Sequence, residues 1–434
     1  MKCQQNLVEL LERLEIRGER EAQRWLECLI KLNELVLASK SGSVLRNPYI
    51  PGTVVDLKLA ELFKGRSELA GQIAAKLRVG DALAFVLHGP RRMGKTSFLQ
   101  QLPRLLPSEF VSVTFDAQRS GATVSDSAFF HQLAAEIYAD LMTLVTERNL
   151  KLLGEPSEPD RNAFYNPIEP IETGGSTPDD PVRLVYVPNP YTAFRDWLQQ
   201  EILPVLGERH YLFITIDEFE NIGDALEQGS LKPRVLDNLR AIIQDDRFRQ
   251  LRLMFAGVAT IEELAPPAVV RRNPFVNTTS FQITYLDQQS AVNLIREPIP
   301  DKSRLPDYEE DAVQEILHLT RGQPFLIQAI CSVLFSRINQ ASERHALITK
   351  DMVLNSVETV FEQYSPYFSD YWRDAGADGQ VILLRLAEAA DTLENVNRHV
   401  VRELERRLII ERNKQNLYDF QIPLFREWVL MYEM

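Results

Sequence analysis

Phe85-Val86-Leu87-His88-Gly89-Pro90-Arg91-Arg92-Met93-Gly94-Lys95-Thr96-Ser97 reads FVLHGPRRMGKTS, and its two halves follow different rules. The segment ALAFVLHG that ends at Gly89 is nearly all apolar, as expected of a strand buried on both faces of a parallel sheet. Gly89 to Thr96 matches the spacing GxxxxGK[ST], and SFLQQLPRLL after it has a helical pattern. In that context several backbone N–H groups converge on a phosphate at a helix start, where the helix dipole also favours negative charge. Gly89, Pro90, Arg91, Arg92, Met93, Gly94, Lys95, Thr96 and Ser97 therefore form a candidate phosphate cradle. Lys95 would reach the β- and γ-phosphate oxygens, and Thr96 would offer a hydroxyl to Mg²⁺. For Arg91 and Arg92 two readings stay open: one of them faces phosphate or a partner, or both face solvent.

Outward from this stretch the strand, loop, helix rhythm repeats. FVSVTFDAQ (110–118), YLFITIDEFE (211–220), LRLMFAGV (251–258) and SFQITYL (280–286) read as further strands, separated by helical patterns such as DSAFFHQLAAEIYADLMTLV and YTAFRDWLQQEILPVL. Strands alternating with longer amphipathic helices predict a three-layer α/β core with a parallel sheet. Asp217 and Glu218 stand at the tip of the YLFITID strand, where Asp217 can hold Mg²⁺ through water and Glu218 can orient or deprotonate an attacking water. Lys95, Asp217 and Glu218 are thus the candidate catalytic residues, with Thr96 and Asp217 on the metal. Asp116 is either a supporting residue or the cap of its own turn; Thr260 is either a polar sensor of the γ-phosphate or a helix N-cap. Arg271 and Arg272 are either the cation that phosphoryl transfer needs near the γ-phosphate or a pair of surface arginines.

The totals narrow the class. A chain of 434 residues with 45% apolar residues divides naturally into two or three domains. A net charge of -13 weighs against the whole molecule being an electrostatic nucleic-acid binder. Cys3, Cys28 and Cys331 are far apart and lack metal spacing, six scattered histidines support no metal cluster, and no run approaches the roughly 18 apolar residues of a membrane span. The charged N-terminal stretch has no apolar signal core, so the expected location is the cytoplasm.

Four segments follow: an N-terminal helical segment (1–46), an ATPase-type core (47–298), a helical lid (299–370) and a winged helix (371–434). The first carries Leu7, Leu11, Leu14, Trp25, Leu29 and Leu32 at helical spacing. Within the core, 154–190 holds Pro156, Pro159, Pro167, Pro170, Pro178, Pro181, Pro188 and Pro190, and reads as an inserted, partly disordered excursion. After Pro300 the pattern turns helical, and from Gly379 helices lead into the hairpin pattern IIERNKQNLYDFQ and a last helix.

NPYIPG (47–52), FKGRSEL (63–69), HGPRRMGKTSFLQQL (88–102) and ITIDEFE (214–220) together resemble bacterial AAA-like P-loop ATPases, close to the signal-transduction ATPases with numerous domains. TRGQPFLIQAICSVLF, with Gly322-Gln323-Pro324, resembles their lid element, and VVRELERRLIIERNKQNLYDFQIPLFREWV their winged helix. The resemblance implies an ATP- and Mg²⁺-dependent switch in which Asn47, Tyr49, Gly65 and Arg66 line the base or ribose side and Pro324 approaches from the lid. It also implies a protein partner or self-assembly, although the chain has no recognisable repeat sensor or large effector domain. DNA binding through the winged helix is the alternative. Arg398, His399, Arg402, Arg406, Arg407 and Arg412 are interrupted by Glu403, Glu405 and Glu411, a mixture that favours a protein interface or solvated helix over a phosphate-tracking face. A nucleotide-stabilised scaffold, with Glu218 idle, is the third reading.

Overall fold

The structure, a computed structural model, describes residues 46–79, 84–119, 121–148, 150–165, 167–173, 183–258, 278–301, 305–341, 347–388, 396–413 and 417–433. The N-terminal helical patterns and the short helix expected near Leu393 lie outside these residues.

Five strands make the main sheet: β1 (Ala84–His88), β2 (Phe110–Asp116), β3 (Tyr211–Asp217), β4 (Leu251–Gly257) and β5 (Thr278–Gln282). Their order is β2-β3-β4-β1-β5, and every neighbouring pair is parallel. Helices cover both faces, which is why the strands read as continuous apolar runs rather than alternating ones. On one face Phe85, Leu87, Phe213, Met254 and Phe281 pack against α1 (Ser67–Val79) and α2 (Lys95–Leu105). The intervening residues Val86, Val113, Phe115, Ile214, Ile216, Leu253 and Phe255 point the other way, to α3 (Asp126–Arg148), α4 (Glu220–Gln228) and α5 (Arg234–Gln244). Phe85 is fully buried and lies edge-on to Phe213 at 6.1 Å. Truncating such a ring to alanine costs about 3–5 kcal/mol.

The sequence pattern carries the fifth strand to Leu286, but pairing stops at Gln282. Beyond it the chain leaves the sheet, and the Leu286 N–H donates 2.9 Å to the Gly322 carbonyl of the helical part. In the proline-rich stretch the described residues form a helix (Arg161–Tyr165) and an antiparallel hairpin (Pro167–Thr173 with Arg183–Pro188). Phe164 is buried there, edge-on to His131 of α3 at 5.4 Å. Residues 166 and 174–182 of that stretch are outside the described residues.

A second body follows. It includes α6 (Gln288–Arg296), α7 (Glu310–Thr320), α8 (Pro324–Ala341), α9 (Ser365–Asp374), α10 (Gly376–Ala387), α11 (Arg398–Arg406) and α12 (Pro423–Tyr432). Between α11 and α12 lies the antiparallel hairpin Ile410–Arg412/Tyr418–Phe420, which completes a winged helix. One apolar cluster runs from Ala291 and Leu294 of α6 through the lid helices to Phe425 and Val429 of α12. The architecture is a three-layer α/β core with a helical lid and a C-terminal winged helix.

Candidate functional site

The sheet order decides what can meet. β1 and β3 flank β4, so the loop after β1 and the end of β3 project from the same edge of the sheet. There a cavity of about 440 Å³ is lined by Arg91 to Ser97 on one side and by Asp116, Asp217 and Glu218 on another. Open α/β sheets place their crevices at this edge.

Two glycines shape the loop. A Cβ at Gly89 would collide with the carbonyl oxygen of Ile283 and come within 2.7 Å of its Cγ2, so β5 and the loop can be this close only with glycine there. Gly94, at φ 85, takes the left-handed turn that starts α2. Lys95 follows at the first helical position, with its side chain folded back over the loop. Its Nζ donates 2.9 Å to the Gly89 carbonyl and 3.1 Å to that of Pro90. Burial pushes its pKa down, while the charges of Glu218, Glu220 and Asp217 oppose that shift.

Asp217 is almost fully buried, and burial raises its pKa to about 6 against the hydrogen bond from Thr96. The Thr96 hydroxyl and the Asp217 carboxylate therefore lie beside each other. Glu218 has φ 52, a left-handed backbone that few non-glycine residues adopt. Such strain clusters at functional sites. Burial first, and then the charge of Glu220, raises its pKa to about 7. Both carboxylate oxygens of Glu220 are buried beside Glu218, so a third acid stands next to the expected pair. Its signal in the sequence is only a glutamate two positions after Glu218.

Asp116 and Asp217 are level partners across β2 and β3. Asp116 lines the cavity, and its Oδ1 accepts 2.9 Å from the Gln118 N–H in the turn that follows β2. Ser97 also lines the cavity, but its Oγ accepts 3.0 Å from the Val55 N–H, tying α2 to a strap formed by residues 46–56.

The residues expected on the base side divide. Arg66 and Pro324 line the cavity; Gly65 is not among its lining residues, although its neighbour Lys64 is. Arg66 spends its guanidinium on the carbonyls of Thr284, Tyr285 and Met93. Its pKa falls to about 10 through burial, partly opposed by Asp287. Gly65 serves packing, since a Cβ there would lie 2.7 Å from Oγ of Ser290 on α6. Asn47 and Tyr49 are not at the cavity. Asn47 donates to the Ser332 carbonyl at 3.0 Å, and the buried Tyr49 hydroxyl donates 2.5 Å to the Ile295 carbonyl, so both anchor the strap in the lid. The physical reason is that an aromatic ring and a matched amide are better satisfied inside the lid core than on an open cavity wall. Thr260, Arg271 and Arg272 lie outside the described residues. The apolar walls that patterning did not identify include Val54, Val55, Leu62, Phe63 and Phe325.

No family model and no curated protein sequence matches the chain. Solved structures do. The chain resembles the Walker-type ATPase of Pyrococcus abyssi with a TM-score of 0.51 at 12% identity, covering 84% of this chain and 95% of that one. The ORC1 protein of Aeropyrum pernix in complex with DNA gives 0.42 at 12% identity, covering 87% and 94%, and a RuvB mutant of Thermotoga maritima gives 0.39 at 14%, covering 87% and 98%. What the first shows is the fold alone, a three-layer α/β core with its appended helical and winged-helix parts, and not the signal-transduction branch in particular.

No helix among the described residues is long and apolar enough to cross a membrane.

Proposed function

We propose that the chain binds ATP with Mg²⁺ and hydrolyses it, and that the nucleotide state is read out through the lid and winged helix. The observation that carries this reading is that one cavity is lined by both Lys95–Thr96 and Asp217–Glu218, segments more than a hundred residues apart. The segments 1–46, 47–298, 299–370 and 371–434 belong to the same proposal, with α6 at the end of the second packing against the third.

In this reading the loop N–H groups and Lys95 hold the phosphates. Lys95 would exchange its two carbonyl partners for phosphate oxygens, a stronger charge-assisted pair. Thr96 and Asp217 would hold Mg²⁺, which when bound neutralises charge on the β- and γ-phosphates. The residues fit: a hydroxyl and a carboxylate already in contact suit an ion that takes its other oxygens from water and phosphate. Among the described residues no cluster of three or more His, Cys, Asp or Glu could hold a metal on protein ligands alone. Glu218 would accept the proton of the attacking water, and the strained backbone aims it off the strand end. A turnover assay comparing wild type with Glu218→Gln tests the assignment. Loss of roughly 10²–10⁴-fold in turnover with ATP binding retained supports it, and equal rates would remove Glu218 from the role.

For the output we favour a protein partner or self-assembly, in keeping with a nucleotide-controlled switch related to the signal-transduction branch. On α11, His399, Glu403, Arg406 and Arg407 face a second cavity of about 540 Å³ against His88 to Arg91 of the loop. Arg406 and Arg407 are moreover held by Glu403 at 2.6 and 2.7 Å. A DNA-binding ATPase is the second reading, and the exposure of Arg398 and Arg402 on the same helix favours it. Salt-dependent duplex binding by wild type and by the Arg398→Glu/Arg402→Glu chain separates the two. A loss of affinity with a shallower salt slope would favour DNA.

A further inference from the structure

For the loop arginines the sequence leaves two readings open, toward phosphate or a partner, or toward solvent. Arg92 meets an aromatic ring. Its backbone is left-handed at φ 63, and its guanidinium carbon lies 5.3 Å from the centroid of the Phe325 ring. Phe325 is the second residue of α8 and stacks at 4.6 Å on Tyr367 of α9, so the ring is rigidly backed. The same guanidinium abuts the turn at 50–53: a Cβ at Gly52 would lie 3.0 Å from Nη1 of Arg92 and 3.6 Å from Phe325.

Backbone contacts reinforce the junction. The Arg92 carbonyl accepts 3.3 Å from Nε2 of the buried Gln323, whose Oε1 accepts 2.7 Å from the Leu326 N–H in the first turn of α8. The Ile50 N–H donates 3.1 Å to Oε1 of Gln328, one turn further along the same helix. Three segments remote in sequence therefore meet around one side chain, and all three, through Arg92, Gly52, Thr53, Pro324, Phe325 and Gln328, line the nucleotide cavity.

We infer that Arg92 is a positioning residue that pins the 50–53 turn and the start of α8 across the cavity, and so sets how long nucleotide stays bound without touching its phosphates. This rests on the nucleotide reading above. A guanidinium over a ring face is held by the ring's quadrupole, an attraction that needs no phosphate. The pin should therefore act on ATP and ADP alike.

The test uses the full chain and measures association and dissociation of ATP and of ADP by stopped flow, for wild type, Lys95→Ala, Arg92→Ala, Arg92→Lys, Phe325→Leu and the Arg92→Ala/Phe325→Leu double variant. Arg92→Ala and Phe325→Leu should each speed dissociation of both nucleotides about two- to five-fold, the size of one exposed cation–ring contact. Because both remove the same contact, the double variant should be no faster than the faster single one. Arg92→Lys, which keeps a cation over the ring, should fall between wild type and Arg92→Ala. Acceleration for ATP but not ADP would make Arg92 a γ-phosphate ligand and overturn the inference. So would wild-type rates in Arg92→Ala, or additive effects in the double variant. If wild type binds neither nucleotide, the nucleotide reading itself fails; if wild type binds and Lys95→Ala does not, while Arg92→Ala matches wild type, the pin alone fails.

Discussion

Nζ of Lys95 donates 2.9 Å to the carbonyl of Gly89, so the loop's own lysine closes the loop on itself. The contact holds the ammonium in a buried position, where burial lowers its pKa and the nearby carboxylates keep it charged. A buried cation already poised at the loop needs little rearrangement to meet an anion.

Replacing that cation should be costly for binding. Lys95→Ala should weaken ATP affinity by roughly 10–100-fold, since hydrogen bonds to charged groups contribute about 1.5–3 kcal/mol. Isothermal titration of the two proteins with ATP measures it, and unchanged affinity would sink the phosphate-cradle assignment.

Gly89→Ala addresses the loop's shape rather than its charge. The added methyl would run into the Ile283 carbonyl, so β5 or the loop must shift. A loss of about 1–3 kcal/mol, typical of overpacking, is expected in denaturant unfolding.

Arg66 offers a separate test of the clamp between the loop and the chain after β5. Its guanidinium serves carbonyls of Thr284, Tyr285 and Met93 at once, a geometry that an ammonium does not reproduce. Arg66→Lys should therefore lower stability by about 0.5–1.5 kcal/mol through the loss of these partly buried hydrogen bonds. The same unfolding measurement decides it, and a change below a few tenths of a kcal/mol would show that the clamp is dispensable.

Glu403 supplies the pH dependence. Its hydrogen bond from Arg406, together with Arg407, holds its carboxyl down to about 2. A depressed acid stabilises the fold above its unfolded pKa, and that contribution disappears as pH falls from about 4.5 toward 2. Melting temperature followed from pH 6 to pH 2.5 should fall less steeply for Glu403→Gln than for wild type. Identical slopes would mean that the Arg406–Glu403–Arg407 group contributes nothing to acid sensitivity.

Short-range features were legible in the chain because their chemistry is local. A strand, a glycine-spaced turn and a helix must be contiguous to cradle phosphate, and an acid at a strand end shows in the run YLFITIDE. The α/β alternation followed from helices covering both faces of the sheet. The C-terminal hairpin showed in the same way, and Ile410–Arg412 pairs with Tyr418–Phe420. Long-range partners left no comparable trace. Asn47 meets Ser332 across 285 positions, and no spacing rule distinguishes that amide from one facing a ligand. Arg92 likewise looks like any loop arginine until Phe325 is placed beside it. Composition and periodicity by themselves determined the layers, the loop and the acid pair of this protein. The tertiary structure alone decided which side chains face the cavity and which brace its walls, because that choice depends on the packing of distant segments.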